Sequence, residues 1–129
     1  MAETFRAWVI DRGEAGQTCT LKGDLTDADL PAGEVLVDVQ ASTINYKDAL
    51  AVTGKGKIIR GFPGVPGIDF AGTVVESASD RFEPGDQVVL NGFGVGESHW
   101  GGLAERARVP ADWLITLPEA FTPMEAMAI

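Results

Sequence analysis

Hydrophobic and polar positions alternate most cleanly in "EVLVDVQAS", residues 34–42. Val35, Val37, Val39 and Ala41 fall on one face, and Glu34, Asp38 and Gln40 on the other, which predicts a half-buried strand. Leu36 is the exception. The same period over "FRAWVI" (Phe5 to Ile10) predicts an earlier strand, "DRGEAG" a turn and "QTCTLKG" a second strand. "TDADLPAGE" reads as a polar turn. Beyond the cleanest strand the period changes. "NYKDALAVTG" supports about two turns of helix, with Ala49, Leu50 and Val52 as its apolar side and Gly54 to end it.

"KGKIIRGFPGVPG" is an irregular loop rich in Gly, Pro and cations. "IDFAGTVVES" returns to a strand. "DRFEPGDQVVLNGFG" gives a turn, a strand and a Gly-rich turn, and "GGLAERARVPADWLITLP" two short strands interrupted at Pro110. "TPMEAMAI" opens a helix, with Thr122 as N-cap, Pro123 at the first helical position and Glu125 completing a capping box. No stop signal follows. The expectation is a domain over residues 1–121 and, over 122–129, the first turn of a helix truncated inside its apolar face.

Composition sharpens the fold class. Sixteen Gly and seven Pro among 129 residues demand many turns and favour a β-rich domain over a helical bundle. The formal charge of −9 argues against nucleic acid or an anionic membrane as partner. A local cationic patch would still suffice for an anionic small molecule. Cys19 is the single cysteine, so an intramolecular disulfide is excluded. With His99 as the single histidine, a Cys/His zinc site is not expected. The N-terminus carries Glu3 and no long apolar run, so no signal peptide is expected, and no segment reaches membrane-spanning length. A cytoplasmic location is the expectation.

The chemistry concentrates at "STINYKDAL", where the clean strand ends. Tyr46 is the single tyrosine; its phenol can donate a hydrogen bond or a proton, or simply point at water while the ring packs. Asp48, in the first turn of a helix, favours the helix dipole whatever else it does. It can cap the helix or orient Lys47. Lys47 can act electrostatically, pair with an acid or stay solvated. Lys55, Lys57 and Arg60 make the following loop the most cationic part of an acidic chain, either as a phosphate contact or as a solvated loop. Asp69 reads as a structural hydrogen-bonder. "NGFGVG" lacks the context of a dinucleotide fingerprint and is expected to shape a cleft floor, with Phe93 free to pack on a ligand. His99 reads as a solvated loop residue, and Cys19 as an inert strand residue.

The order of the clean strand, "NYKD", "PGVPGIDFAG", "FEPGDQVV", "GGLAERARVP", "LP" and "EAMAI" resembles the medium-chain dehydrogenase/reductase superfamily along nearly the whole chain. "STINYKDALAVTGKGKI" and "FPGVPGIDFAGTV" look most like its zinc-independent, quinone-oxidoreductase-like branch, which includes acrylyl-CoA reductases. The resemblance implies a mainly β fold, a GroES-like, partly open β-barrel with short helices. It also implies a Rossmann nucleotide-binding domain beyond residue 129, toward which the helix at 122–129 leads. Where zinc-bearing members carry a Cys and a His, this chain carries Asn45 and Ile68, with Asp69 at the position of a Glu. The resemblance therefore implies no metal. It implies NADPH as cofactor, hydride transfer to an enoyl thioester such as acrylyl-CoA, and a homodimer in the complete protein. Tyr46, Lys47 and Asp48 become the catalytic candidates, with Tyr46 or water as proton donor. Asn45 and Tyr46 become the cofactor contacts, and Lys55, Arg60 and Phe93 the substrate contacts. Two alternatives stay open: a quinone or enone reductase of the same superfamily, and a stand-alone binding module without catalysis. Met124, Met127 and Ile129 weigh against the module, because they would leave an unfinished interface.

Overall fold

The computed structural model describes residues 3–128. Seven strands and two short α-helices follow in the order β1 (Phe5–Gly13), β2 (Gly16–Leu25), β3 (Val35–Ser42), α1 (Tyr46–Thr53), β4 (Asp69–Ser77), β5 (Gln87–Asn91), β6 (Arg106–Val109), β7 (Ile115–Thr116) and α2 (Pro123–Met127). Single 3-10 turns occupy Asp27–Asp29 and Ala111–Trp113. The strands predicted from alternation are all present. β1 and β2 run further into "DRGEAG" than expected, and only Glu14 and Ala15 lie between the paired Gly13 and Gly16.

All pairings between these strands are antiparallel. Five strands form one sheet in the order β6-β3-β4-β5-β7, and β1-β2 form a separate hairpin. The hairpin is stitched across the sheet's loops: the Trp8 amide donates to the Leu103 carbonyl at 3.0 Å, and Ile10 and Gly64 exchange amide bonds of 2.7 and 2.8 Å. The result is a partly open barrel whose gaps are closed by loops. Register shifts in β3 beside Leu36 and Val39 help the sheet curl.

The core has two principal parts, one on each side of β3. Val35 and Val37 pack with Phe70, Val74, Val88, Leu90 and Val109 inside the sheet. Leu36 points the other way, into a cluster with Phe5, Ala7, Val9, Leu25, Leu30 and Val65 under the hairpin. Its break in the alternation is therefore a second buried contact. A smaller cluster of Ile10, Ala51 and Ile59 seats α1 against the hairpin. Arg106 ties the hairpin's flank to the sheet through Asp27, Asp38 and Glu3 at 2.8, 3.0 and 3.4 Å.

One prediction for α1 needs correction. Its ends fall where expected, with Asn45 as N-cap and Gly54 in the left-handed conformation at φ 73°. Its buried side is not Ala49, Leu50 and Val52. Asp48 and Ala51 are buried, Leu50 is half-buried, and Ala49 and Val52 are exposed. The helix is seated through a carboxylate and one methyl group, because its first turn packs on backbone amides and not on an apolar surface.

Candidate functional site

The end of β3, the start of α1 and the start of β4 meet at one corner, and a single buried carboxylate holds them. Asp48 is 0% exposed. Its Oδ1 accepts from the amides of Gly67 and Ile68 at 3.0 and 3.1 Å, and its Oδ2 from the Asn45 amide at 2.8 Å. A charged acceptor with three backbone donors is well compensated for its burial. Gly67 can take part because it has no Cβ. Its φ is 106°, and a Cβ there would lie 2.6 Å from the Leu103 nitrogen.

A polar network continues outward. Asn45 Nδ2 donates to Thr43 Oγ1 at 2.8 Å and to Asp69 Oδ2 at 3.1 Å. Ser42 Oγ donates to the Asp69 carbonyl at 2.7 Å. Asp69 thus joins β4 to the corner as a half-buried acceptor. Tyr46 follows directly, 79% exposed, with Ile44 75% exposed beside it in sequence. The corner is rigid underneath and presents a phenol and an apolar side chain on top. Lys47 does not contact Asp48; its Nζ meets Glu97 Oε2 at 3.2 Å, across 50 positions of sequence. Asp48 caps the helix and does not orient Lys47.

The Gly-rich turn after β5 lies against this region through Glu97. Phe93 sits there at φ 57°, a backbone conformation that costs a bulky residue about 1–2 kcal/mol. Its ring stacks on Trp113, with centroids 5.9 Å apart and planes within 11°, yet stays more than half exposed. Trp113 is braced from its edge by His99 at 5.0 Å. His99 is half-buried and bonds the Arg108 carbonyl through Nε2 at 2.6 Å, so it is a structural strut and not the solvated residue expected. Neither contact has a local sequence signal.

The cationic loop leads to a groove of about 470 Å³ at the far end of α1, lined by Arg12, Gln17, Lys57, Arg60 and Phe62. Lys55 is exposed in the same loop but does not line it. Arg12 and Gln17 come from the β1-β2 hairpin, and no local pattern hinted at their part. Another groove of about 470 Å³ lies at the opposite end of β3 and β4, beside Glu34, Glu76 and Arg108, away from the corner. Cys19 is half-buried beside Ile10 and Ala51, and burial raises its thiol pKa, which disfavours the reactive thiolate. Among the described residues no group of three or more His, Cys, Asp or Glu side chains is placed to hold a metal ion. No helix among them is long and apolar enough to cross a membrane.

This barrel and corner define an alcohol dehydrogenase GroES-like domain, the family whose model matches residues 31–119, and the chain belongs to it. Several of its relatives are named as reductases or oxidoreductases. The acrylyl-CoA reductase AcuI of Ruegeria pomeroyi is 51% identical over 126 residues, which cover 97% of this chain and 38% of that protein. The crystal structure of the yhdH oxidoreductase from Salmonella enterica in complex with NADP superposes with a TM-score of 0.90 at 54% identity, over 95% of this chain and 37% of that one. The structure of Bacillus subtilis yhfP with NAD bound gives 0.88 at 40% identity, over 98% of this chain and 38% of that one. The chain thus spans little more than a third of the length of these relatives.

Proposed function

We propose that this chain is the catalytic domain of an NADPH-dependent reductase that converts the double bond of an enoyl thioester, acrylyl-CoA, to the saturated propionyl-CoA without zinc. The observation that carries this reading is the likeness to an acrylyl-CoA reductase across 97% of the chain. The corner supports it with a suitable surface: an exposed phenol and apolar groups fixed above a buried carboxylate. The rest of the enzyme, including the nucleotide-binding domain toward which α2 would lead, is part of the proposal. So are a homodimer and a cytoplasmic location.

The residues at the corner suit a nicotinamide. Ile44 and Tyr46 offer exposed apolar faces for a flat ring, and Asn45 is held beside them to meet a polar group of the cofactor. Bound NADPH would supply the hydride. Tyr46 would donate a proton to the substrate's α-carbon as the β-carbon gains hydride, so that the double bond becomes single and the thioester stays intact. Water is the alternative donor. With no metal, the thioester oxygen would be stabilised by hydrogen bonds. Lys47 would act at most through its charge, which Glu97 already partly offsets. Asp48 would position Asn45 and Tyr46 without touching substrate. Lys55, Arg60 and Phe93 would contact the substrate.

The test is an assay of the enzyme containing this chain, with NADPH or NADH, given acrylyl-CoA and a simple quinone in parallel. The reading expects propionyl-CoA to form with NADPH. Reduction of the quinone alone would overturn it in favour of a quinone reductase. Activity with neither would favour a binding module.

A further inference from the structure

We propose that the groove between the β1-β2 hairpin and the loop after α1 binds the phosphorylated nucleotide end of the CoA thioester, with Arg12 as a specificity residue. This rests on the thioester reading above. The first observation is charge. Among the described residues, Arg6, Lys47, Arg81 and Arg106 are in ion pairs. Arg12, Lys57 and Arg60 are in none of the described pairs, yet all three line one groove in a chain of net charge −9. Cations left without acidic partners at one place in an acidic protein raise the local potential and attract an anion.

The second observation is how the groove is built. Arg12 is not a free surface side chain: its guanidinium lies over the Phe62 ring, 4.9 Å from the centroid, which fixes its direction. The hairpin is fixed to the groove's other wall, because Gln17 Nε2 donates to the Ala51 carbonyl at the end of α1 at 2.8 Å. Gly16 and Gly54, both at positive φ, and Gly56 leave the walls low enough for a large group to enter. The groove therefore offers two guanidinium forks and an ammonium to phosphate oxygens, and the half-buried Phe62 ring to a flat base.

The third observation is spacing. The groove lies at the C-terminal end of α1 and Tyr46 at its N-terminal end. The eight residues of α1 from Tyr46 to Thr53 span about 10 Å. A thioester with its reacting carbons at Tyr46 would need a linker running along α1, past exposed Ala49 and Val52, to reach the cations. The long arm of a CoA thioester meets that requirement, and a small quinone does not use it.

The experiment compares acrylyl-CoA with acrylyl-pantetheine, which lacks the phosphates, in the enzyme containing this chain. Arg12→Gln and Arg60→Gln are each expected to raise KM for acrylyl-CoA about tenfold more than KM for acrylyl-pantetheine, because each variant removes one charge-assisted hydrogen bond to phosphate. Arg12→Lys should recover part of that affinity. Lys22→Gln, which removes a charge outside the groove, should alter neither KM. Equal effects on both thioesters would overturn the groove assignment while leaving the thioester reading intact. A shift in KM for NADPH in place of acrylyl-CoA would assign the groove to the cofactor's phosphates and overturn the proposal. Failure to reduce either thioester would overturn both readings.

Discussion

The two α-helices open on the same local device, and the two copies do different things. At α2, Thr122 Oγ1 accepts from the Glu125 amide at 3.1 Å, and Glu125 returns an acceptor to the Thr122 amide at 3.0 Å. Neither side chain is buried, and neither cap bond reaches beyond the turn. At α1, Asp48 gives the same return bond to Asn45, but it is fully buried and its second oxygen holds Gly67 and Ile68, 19 and 20 residues away. A capping motif fixes where a helix begins. Burial and distant partners decide whether it also fixes a site.

The largest expected effect follows from that contrast. Asp48→Ala strands three amide donors, one of them fully buried, and should cost about 3 kcal/mol or more, read as a lowered urea midpoint. A loss under about 1 kcal/mol would mean that water replaces the carboxylate and that the corner is not held by it. The other end of α1 gives a smaller number. Gly54→Ala would place a Cβ at φ 73° with only ordinary contact to Gln17, so the cost should be about 1 kcal/mol of backbone strain, by the same measurement.

At α2 the expected effect is local. The Thr122 amide bond holds the Glu125 carboxyl below its usual pKa, so the folded form has the depressed value. The cap's contribution is therefore present above the ordinary carboxylate range and fades as pH falls through the lowered pKa. The protection of the Ala126 amide, which donates to the Thr122 carbonyl, should fall at acid pH before the global transition, read as its exchange rate relative to that of the unfolded chain at the same pH. An Ala126 exchange rate that follows only global unfolding would contradict this. The smallest effect concerns Cys19. Its raised pKa predicts that a thiol reagent at neutral pH reacts with the native chain far more slowly than with the unfolded chain. Equal rates would show that the hairpin does not protect it.

Much of the framework was legible from local pattern. Alternation located β1 and β3, turn residues bounded the other strands, and Gly54 marked the end of α1. What sequence could not show was which partner each side chain finds across the fold. Leu36 broke the alternation because the hairpin covers the second face of β3. Ala49 and Val52 suggested an apolar seat, yet Asp48 took the buried position because backbone amides of the "GVPGI" loop were there to receive it. Lys47 found Glu97, Phe93 found Trp113, and Arg12 reached the cationic loop only because the hairpin folds over it. Each of these pairings joins distant segments, and no local period encodes them. Gly67, with its backbone pressed against Leu103, marks in the sequence where such a close approach is needed.

The most direct test of the account is the turnover of Tyr46→Phe in the enzyme containing this chain. The residue is 79% exposed, so stability should not change and any effect reports on chemistry. Removal of a proton donor should lower kcat for acrylyl-CoA about a hundredfold or more, the usual contribution of general acid catalysis. An unchanged kcat would contradict the account and leave water as the donor at this corner.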